Sequence, residues 1–328
     1  AGALLLGARD RLAPDCTEVF FHTGTIHLLA ISGLHLGILA WGFFWVARGT
    51  ARRWILWTLM ATACAYCLLT GMRAPVLRAA ILIQVVCMGL LWRRSVVAYN
   101  ALAMAAVLVL MIRPAELFQT GAQLSFLAVT TLIWLGRNYV PAKPDSLERL
   151  LARTRPWYAR AGYSLGRRVW QLSLAGLAVW IVTLPLVMLR FHLVTPIGLP
   201  LNVVLAFPIA LSLLSGFAVL LLADWVPLVG SWCGGVCDAS LQFVEHVVAS
   251  AHALPGAYGW AAGPSNGWCA VFYAGTLVCA FVPRCRPSRF GAITLVLVWF
   301  ALPSGARLAG TVLGTESDHL RCTFLAVG

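Results

Sequence analysis

Acidic side chains are scarce in this sequence. Only 11 of its 328 residues are Asp or Glu. None of them lies between Glu18 and Glu116, and none lies between Glu148 and Asp224. The surface of a soluble domain needs charges of both signs interspersed. Stretches of this length without a carboxylate therefore exclude an ordinary water-exposed surface over much of the chain.

Charge of either sign is low, and hydrophobic content is correspondingly high. Charged residues make up 11% of the sequence and hydrophobic residues 61%. A soluble domain has about 25% charged and about 45–50% apolar residues. The composition therefore indicates an integral membrane protein, in which lipid removes the need for a charged surface.

Two catalytic signatures are also missing. The sequence has no P-loop of the form G-x-x-x-x-G-K-[ST] and no H-E-x-x-H, the patterns that hold nucleotide phosphates and zinc. Among its ten cysteines, Cys64 and Cys67 form a C-x-x-C inside an apolar run, where packing is the simpler interpretation. We predict no metal and no cofactor in this chain. Energy for any transport is expected to come from a partner or from cellular gradients.

Apolar runs recur along the chain. A helix needs roughly 17–25 apolar residues to cross about 30 Å of hydrocarbon, and lipid-exposed backbone must satisfy its own hydrogen bonds. We predict an all-α, polytopic transmembrane helical bundle with roughly eight to ten membrane segments. The predicted spans are residues 26–47, 54–69, 75–92, 96–112, 123–135, 169–189, 199–223, 267–282 and 290–302.

Arginines in the short loops predict an orientation, because cytoplasmic loops carry an excess of Lys and Arg. The loops after the first and third runs are basic, and residues 137–168 hold eight basic side chains. These loops alternate correctly if residues 1–25 lie outside the cytoplasm. The basic residues of the loops after the first and third runs are Arg48, Arg52, Arg53, Arg93 and Arg94.

The later arginines conflict with this count. Arg284, Arg286 and Arg289 prefer the cytoplasm, which requires an extra crossing within residues 224–254. That stretch also carries charged side chains, each costing about 2.5–3.5 kcal/mol at mid-bilayer. An interfacial helix over 224–254 is the alternative, and the sequence leaves both open.

The first run contains a face of small residues. At about 100° per residue, Ala30, Gly33, Gly37 and Ala40 fall on one side of the helix. The two glycines form a G-x-x-x-G, which lets another helix approach closely. We predict that this face packs against a neighbouring helix.

Polar side chains lie on the rest of the same helix. Ser32 and His35 share the opposite face, and His27 lies between the two faces. His27 and His35 are about 12 Å apart along the axis, so they cannot share a metal ion. No acid lies nearby in sequence to orient a Ser–His nucleophile. Interhelical hydrogen bonding and the lining of a pore remain as alternatives.

Further polar residues enter the third and fifth runs. Arg73 and Arg78 flank the start of the third run, and Gln84 lies further along it. Arg78 either snorkels to the interface or contributes to a cationic ring at a pore mouth. Gln123 and Ser125 lie at an interface or on a polar pore wall.

The longest predicted loop is rich in arginine and aromatic residues. Arginine binds phosphate bidentately, and aromatic rings stack bases. The positive-inside rule and aromatic belts produce the same pattern, so phosphate contact is a weak prediction here. The candidate residues are Arg149, Arg153, Arg155, Arg160, Arg167 and Arg168.

Residues 24–37, GTIHLLAISGLHLG, resemble the signature of the ComEC family of competence DNA-uptake channels. Three further stretches agree in the expected order: RAPVLRAA at 73–80, NALA at 100–103 with RPAELF at 113–118, and GAQLSF at 121–126. The resemblance covers roughly residues 4–130. His27, Ser32, His35, Arg78, Gln123 and Ser125 match these motifs.

The resemblance implies a membrane domain that conducts single-stranded DNA across the bacterial cytoplasmic membrane. It implies a lead-in over 1–25, a channel domain over 26–303, and a linker with the first strand of a metallo-β-lactamase-like domain over 304–328. Ala326 stands where that family usually shows aspartate. The expected partners are the strand, the bilayer, a DNA receptor and a cytoplasmic helicase or ATPase.

Three functions are compatible with these sequence features. The first is a DNA channel in which Arg73, Arg78 and the Ser32/His35 face line the route, with no catalysis in this chain. The second is a membrane anchor for a hydrolase that lies downstream. The third is a transporter of another anionic substrate.

Overall fold

The computed structural model describes residues 14–29, 33, 36–40, 42, 52–138, 156–223, 225–261 and 263–281. Almost all of these residues are helical, which confirms the predicted all-α class. The chain forms two compact units, residues 1–263 and residues 264–328. Helix α10 (Asn266–Phe281) belongs to the second unit, and the other elements belong to the first.

The elements of the first unit follow in chain order. The helices are α1 (Pro14–His22), α2 (Ile26–Leu29), α3 (Arg52–Leu69), α4 (Ala74–Leu91), α5 (Ala98–Ile112), the 3-10 helix η1 (Pro114–Phe118), α6 (Thr120–Asn138), α7 (Trp157–Phe191), α8 (Gly198–Leu222) and α9 (Pro227–His252). Residues 33, 36–40 and 42 are also helical. Two short strands, β1 (Leu193–Val194) and β2 (Gly259–Trp260), form one antiparallel pair.

Three helices within the described residues are long and apolar enough to cross a membrane. They comprise Ala74–Leu91, Gly162–Phe191 and Gly198–Leu220, and the shorter apolar helices Arg53–Leu69 and Ala98–Ile112 add two more candidates. Apolar side chains such as Met111 (76% exposed) and Phe207 (74% exposed) point away from the protein interior. Exposed apolar surface of this extent suits lipid rather than water.

Helices α8 and α9 form an antiparallel hairpin that stays in contact along its length. Near the turn, a Cβ on Gly230 would lie 2.9 Å from Ala223 Cα. Midway, Cys237 Sγ donates to the carbonyl of Ser212 at 3.4 Å. At the far end, Leu201 and Val248 share a buried cluster. Residues 227–252 therefore run beside α8, although α9 is not among the three helices that are long and apolar enough to cross a membrane. The choice between a crossing and an interfacial helix over 224–254 stays a prediction.

The strand pair closes the far end of this hairpin. Leu193 pairs with Trp260 and Val194 with Gly259, and the Ala261 amide donates to the carbonyl of His192 at 2.9 Å. Residues 193–194 lead into α8, whereas 259–260 follow α9. The pairing therefore holds the C-terminal end of α9 beside the N-terminal end of α8.

A second buried cluster joins α3 and α4. Tyr66 and Ala63 on α3 pack with Val76 and Leu77 on α4, together with Leu36. Phe217 of α8 meets the ring of Tyr66 edge-on at 5.7 Å between centroids.

Candidate functional site

The first part of the signature forms a tight buried turn between α1 and α2. Thr23 and Thr25 are both 0% exposed, and their hydroxyl oxygens lie 2.8 Å apart. Gly24 has a φ of +72°, and a Cβ at this position would collide with Thr195 Oγ1. Glycine tolerates both the conformation and the close approach. The turn is thereby held against the segment that leads into α8.

His27 serves this turn in the structure. Its Nδ1 lies 3.0 Å from the carbonyl oxygen of Gly24, to which a protonated nitrogen donates. The other polar residues of the first predicted span, Ser32 and His35, lie outside the described residues, so their pore-lining role stays a prediction.

The small-residue face of that span is described only in part. A Cβ on Gly33 would lie 3.0 Å from Ala79 Cβ of α4, whereas Gly37 has nothing within 4 Å. Ala40 is half-buried, and Ala30 lies outside the described residues. Close approach to α4 is thus seen at Gly33, and the packing role of the whole face stays a prediction.

Arg78 lies one turn into α4 and is buried in an ion pair. Its Nη1 lies 2.7 Å from Glu116 Oε2, and its Nη2 donates to the carbonyl of Gly121 at 3.2 Å. The two side chains are 7% and 3% exposed. Because Glu116 is on η1 and Gly121 is at the start of α6, this one guanidinium joins three elements.

One nitrogen of the guanidinium, Nε, has no hydrogen-bond acceptor among the described residues. Arg78 Nε is also buried. An unsatisfied buried donor costs about 1–3 kcal/mol, so this site would gain free energy from a further acceptor. A phosphate oxygen or a water molecule has the required chemistry.

Glu116 was not among the predicted site residues. It is 38 positions from Arg78 in the sequence, so no local pattern pairs the two. A signal was nevertheless present, since Glu116 is the one acidic residue between positions 19 and 144. A lone carboxylate among apolar spans is expensive unless a cation is paired with it.

The predicted glutamines make hydrogen bonds to backbone. Gln123 Nε2 donates to the carbonyl of Leu117 at 2.9 Å, so it also holds η1. Gln84 Nε2 donates to the carbonyl of Met60 at 2.9 Å and reaches Cys64 Sγ at 3.1 Å. Gln84 therefore ties α4 to α3 in the described conformation.

The remaining predicted residues have few described contacts. Arg73 is exposed and precedes α4, and its carbonyl accepts from the Leu77 amide at 2.9 Å. Ser125 is half-buried on α6. These placements do not test the predicted substrate path.

The arginine-rich loop is only partly described. Arg149, Arg153 and Arg155 lie outside the described residues, whereas Arg160, Arg167 and Arg168 lie on α7. Arg168 is exposed and Arg167 is half-buried. Across the part of the chain that the structure describes, no three His, Cys, Asp or Glu side chains are grouped as metal ligands.

Long apolar helices joined by buried polar contacts define a polytopic helical membrane protein. The chain matches the family model described as "Competence protein" over residues 4–286, and it belongs to that family. The similarity begins before the first described helix and continues past the last.

Two proteins with competence names are similar to this chain. "ComE operon protein 3" of Bacillus subtilis (strain 168) is 28% identical over 268 residues, which is 77% of this chain and 31% of that protein. "Competence protein ComA" of Neisseria gonorrhoeae is 32% identical over 150 residues, which is 42% of this chain and 21% of that protein. Their names denote competence and no catalytic activity.

"Uncharacterized protein YcaI" of Escherichia coli (strain K12) is 29% identical over 142 residues, which is 39% of this chain and 18% of that protein. The matches thus cover less than a third of each of these relatives. No solved structure matches this chain.

Proposed function

We propose that this chain is the membrane channel part of a DNA-uptake protein, which carries single-stranded DNA across the bacterial cytoplasmic membrane. Family membership supports a role in competence. The relatives named for competence support the uptake of DNA for transformation. The finer assignment, a channel for a single strand, depends on the distribution of charge between residues 19 and 144.

The observation that carries the proposal is the pairing of Glu116. A strand with one negative charge per nucleotide is repelled by unpaired carboxylates along its route, most strongly where the surroundings are of low dielectric constant. Between residues 19 and 144 the sequence has a single acid, and Arg78 neutralises it at 2.7 Å. Among its described residues, that part of the chain therefore presents arginines to a polyanion and no unpaired carboxylate.

Arg78 and Gln123 would act at the mouth of the route. Both hold η1, one through Glu116 and the other through Leu117. Arg73 is exposed just before α4, where a phosphate arriving from water meets it first. Ser32 and His35 complete the predicted lining.

The proposal includes an orientation with residues 1–25 outside the cytoplasm. Helix α9 would cross the membrane beside α8, and the contact of the two helices along their length supports this. This crossing is the extra one that the arginine count requires. The starts of α4, α6 and α8 and the ends of α5, α7 and α9 then lie on the outer side.

Partners and catalysis follow from the same proposal. The chain would receive a strand from a DNA receptor outside and deliver it to a helicase or ATPase in the cytoplasm. The chain itself would carry out no catalysis. A hydrolase anchor or a transporter of another anion remains the alternative outcome of the test.

Transformation of a deletion strain, complemented with the intact gene, tests the proposal. We expect Arg73→Gln with Arg78→Gln to lower DNA uptake at least tenfold while membrane insertion is retained. Glu116→Gln breaks the same buried pair without removing an arginine, so its effect on uptake measures the structural part of the loss. Labelled single-stranded DNA bound to the protein in nanodiscs gives a direct measure. Wild-type uptake by the double variant would refute the lining role, and binding of small anions in place of DNA would favour the transporter.

A further inference from the structure

Four rings gather at one end of the first unit, and the predicted substrate path includes none of them. His22 ends α1, His252 ends α9, and Tyr258 and Trp260 follow in the loop and strand behind α9. His22 and His252 are 230 positions apart in the sequence. The folding of α1 against α9 brings them together.

Three of the rings are nearly parallel. In the imidazole pair, His22 Nδ1 lies 3.4 Å from His252 Nε2, and the ring centroids are 5.6 Å apart with 8° between the planes. Tyr258 stacks on the same pair, at 4.3 Å and 13° from His22 and at 5.5 Å and 13° from His252. Trp260 meets His22 edge-on at 5.9 Å.

The backbone fixes this arrangement. Gly256 turns the chain with a φ of +80°, and the Ala257 amide donates to the carbonyl of Leu254 at 3.2 Å. The pairing of Trp260 with Leu193 then fixes the direction of β2. The rings are therefore positioned before any ligand arrives.

Part of the cluster is open to its surroundings. Trp260 is 66% exposed, and His22, His252 and Tyr258 are half-buried. Arg190 is also exposed, in the last turn of α7, three positions before Leu193. An exposed indole beside stacked rings, with an arginine on the adjoining element, combines the two groups that hold unpaired nucleotides. The rings stack on bases and the guanidinium binds phosphate.

We propose that His22, Tyr258, His252 and Trp260 form an outer stacking site for the bases of an incoming single strand. The inference rests on the proposed function and its orientation, which place these rings on the extracytoplasmic side. Stacking needs no particular base, so the site would accept any sequence.

Binding to the chain in nanodiscs tests this site. The probe is a labelled oligothymidylate, compared with an abasic strand of equal length that keeps the phosphates. We expect wild type to bind the oligothymidylate at least roughly fivefold more tightly, the lower limit of one stacked base. Trp260→Ala and Tyr258→Leu should remove this preference without changing the salt dependence, which reports phosphate contacts.

The controls separate stacking from other roles. Trp225→Ala removes an indole that is 85% exposed at the turn between α8 and α9, and it should leave the preference unchanged. Trp260→Phe keeps a ring and should retain most of it. Because the comparison of the two strands is made on wild type as well, it does not depend on the folding of a variant.

Every other result of this binding experiment contradicts the stacking site, and one of them also contradicts the proposed function. Equal wild-type affinity for the two strands refutes the stacking site but leaves the channel standing. A preference for the oligothymidylate that persists in Trp260→Ala and Tyr258→Leu also refutes the stacking site. The same holds if these variants lose membrane anchoring but keep the preference. Failure of wild type to bind either strand overturns the proposed function together with this site.

Discussion

At the scale of single residues, the buried pair of Arg78 and Glu116 is the strongest polar contact described. A buried ion pair stabilises little compared with apolar packing, but removing one partner leaves the other charge unpaired. The pair lies where α4, η1 and α6 meet. Its loss therefore affects three elements together.

We predict that Glu116→Gln lowers the free energy of unfolding by about 3–5 kcal/mol, the cost of an unpaired buried charge. Thermal unfolding in detergent measures this loss. The double exchange Arg78→Glu with Glu116→Arg should restore stability but not DNA uptake, because the cation then lies on η1. Restored uptake would show that the pair is purely structural.

Gly24 is the second residue whose identity the structure explains. We predict that Gly24→Ala destabilises the protein by about 1–2 kcal/mol for its left-handed backbone, plus the collision with Thr195. Gly71 also has a positive φ, +66°, but has nothing within 4 Å, so Gly71→Ala isolates the backbone contribution. Equal melting temperatures for the two variants would show that Thr195 yields without cost.

At the scale of elements, the hairpin of α8 and α9 bears on the proposed crossing of α9. Close packing at Gly230 and the strand pair at Trp260 hold the two ends of α9 beside opposite ends of α8. A helix held in this way lies alongside its partner, with the opposite chain direction. If α8 crosses the bilayer, α9 crosses it as well.

Cysteine labelling checks this crossing. Trp225 and Leu254 are exposed at opposite ends of α9, at 85% and 53%. We predict that a membrane-impermeant thiol reagent added to intact cells labels Leu254→Cys, and that Trp225→Cys is labelled only after permeabilisation. The parent chain gives the background from native cysteines. Labelling of both positions from the same side would mean that α9 does not cross.

At the scale of the whole molecule, the excess of arginine is the main electrostatic property. Net charge is +13, with 24 basic and 11 acidic residues. Such an excess attracts polyanions and makes their binding sensitive to salt. Arginine-rich loops are also typical of the cytoplasmic side of membrane proteins.

We predict that the logarithm of the affinity for single-stranded DNA falls linearly with the logarithm of salt concentration. Each phosphate contact contributes about 0.7 to the slope for a single strand. Arg73→Gln removes one exposed contact and should reduce the slope by about 0.7, with uptake lowered in parallel. An unchanged slope would remove Arg73 from the path.

Much of the architecture was predictable, because the bilayer imposes its length and polarity on each apolar run separately. The runs at 75–92 and 199–223 become α4 and α8, each boundary lying one residue earlier than predicted. Pro185 and Pro208 fall within the predicted runs and lie inside α7 and α8. The strand pair was not predicted, since two residues show no periodicity.

By itself, the sequence determined that this protein is helical, membrane-embedded and poor in acid, because those properties are local sums over each segment. Through their motifs it also pointed to Arg78 and to the segment that begins at Gly24. Only the tertiary structure decided which groups meet: Arg78 with Glu116, Gly24 with Thr195, and His22 with His252. Such pairings depend on how helices distant in sequence pack, and no spacing along the chain encodes that distance.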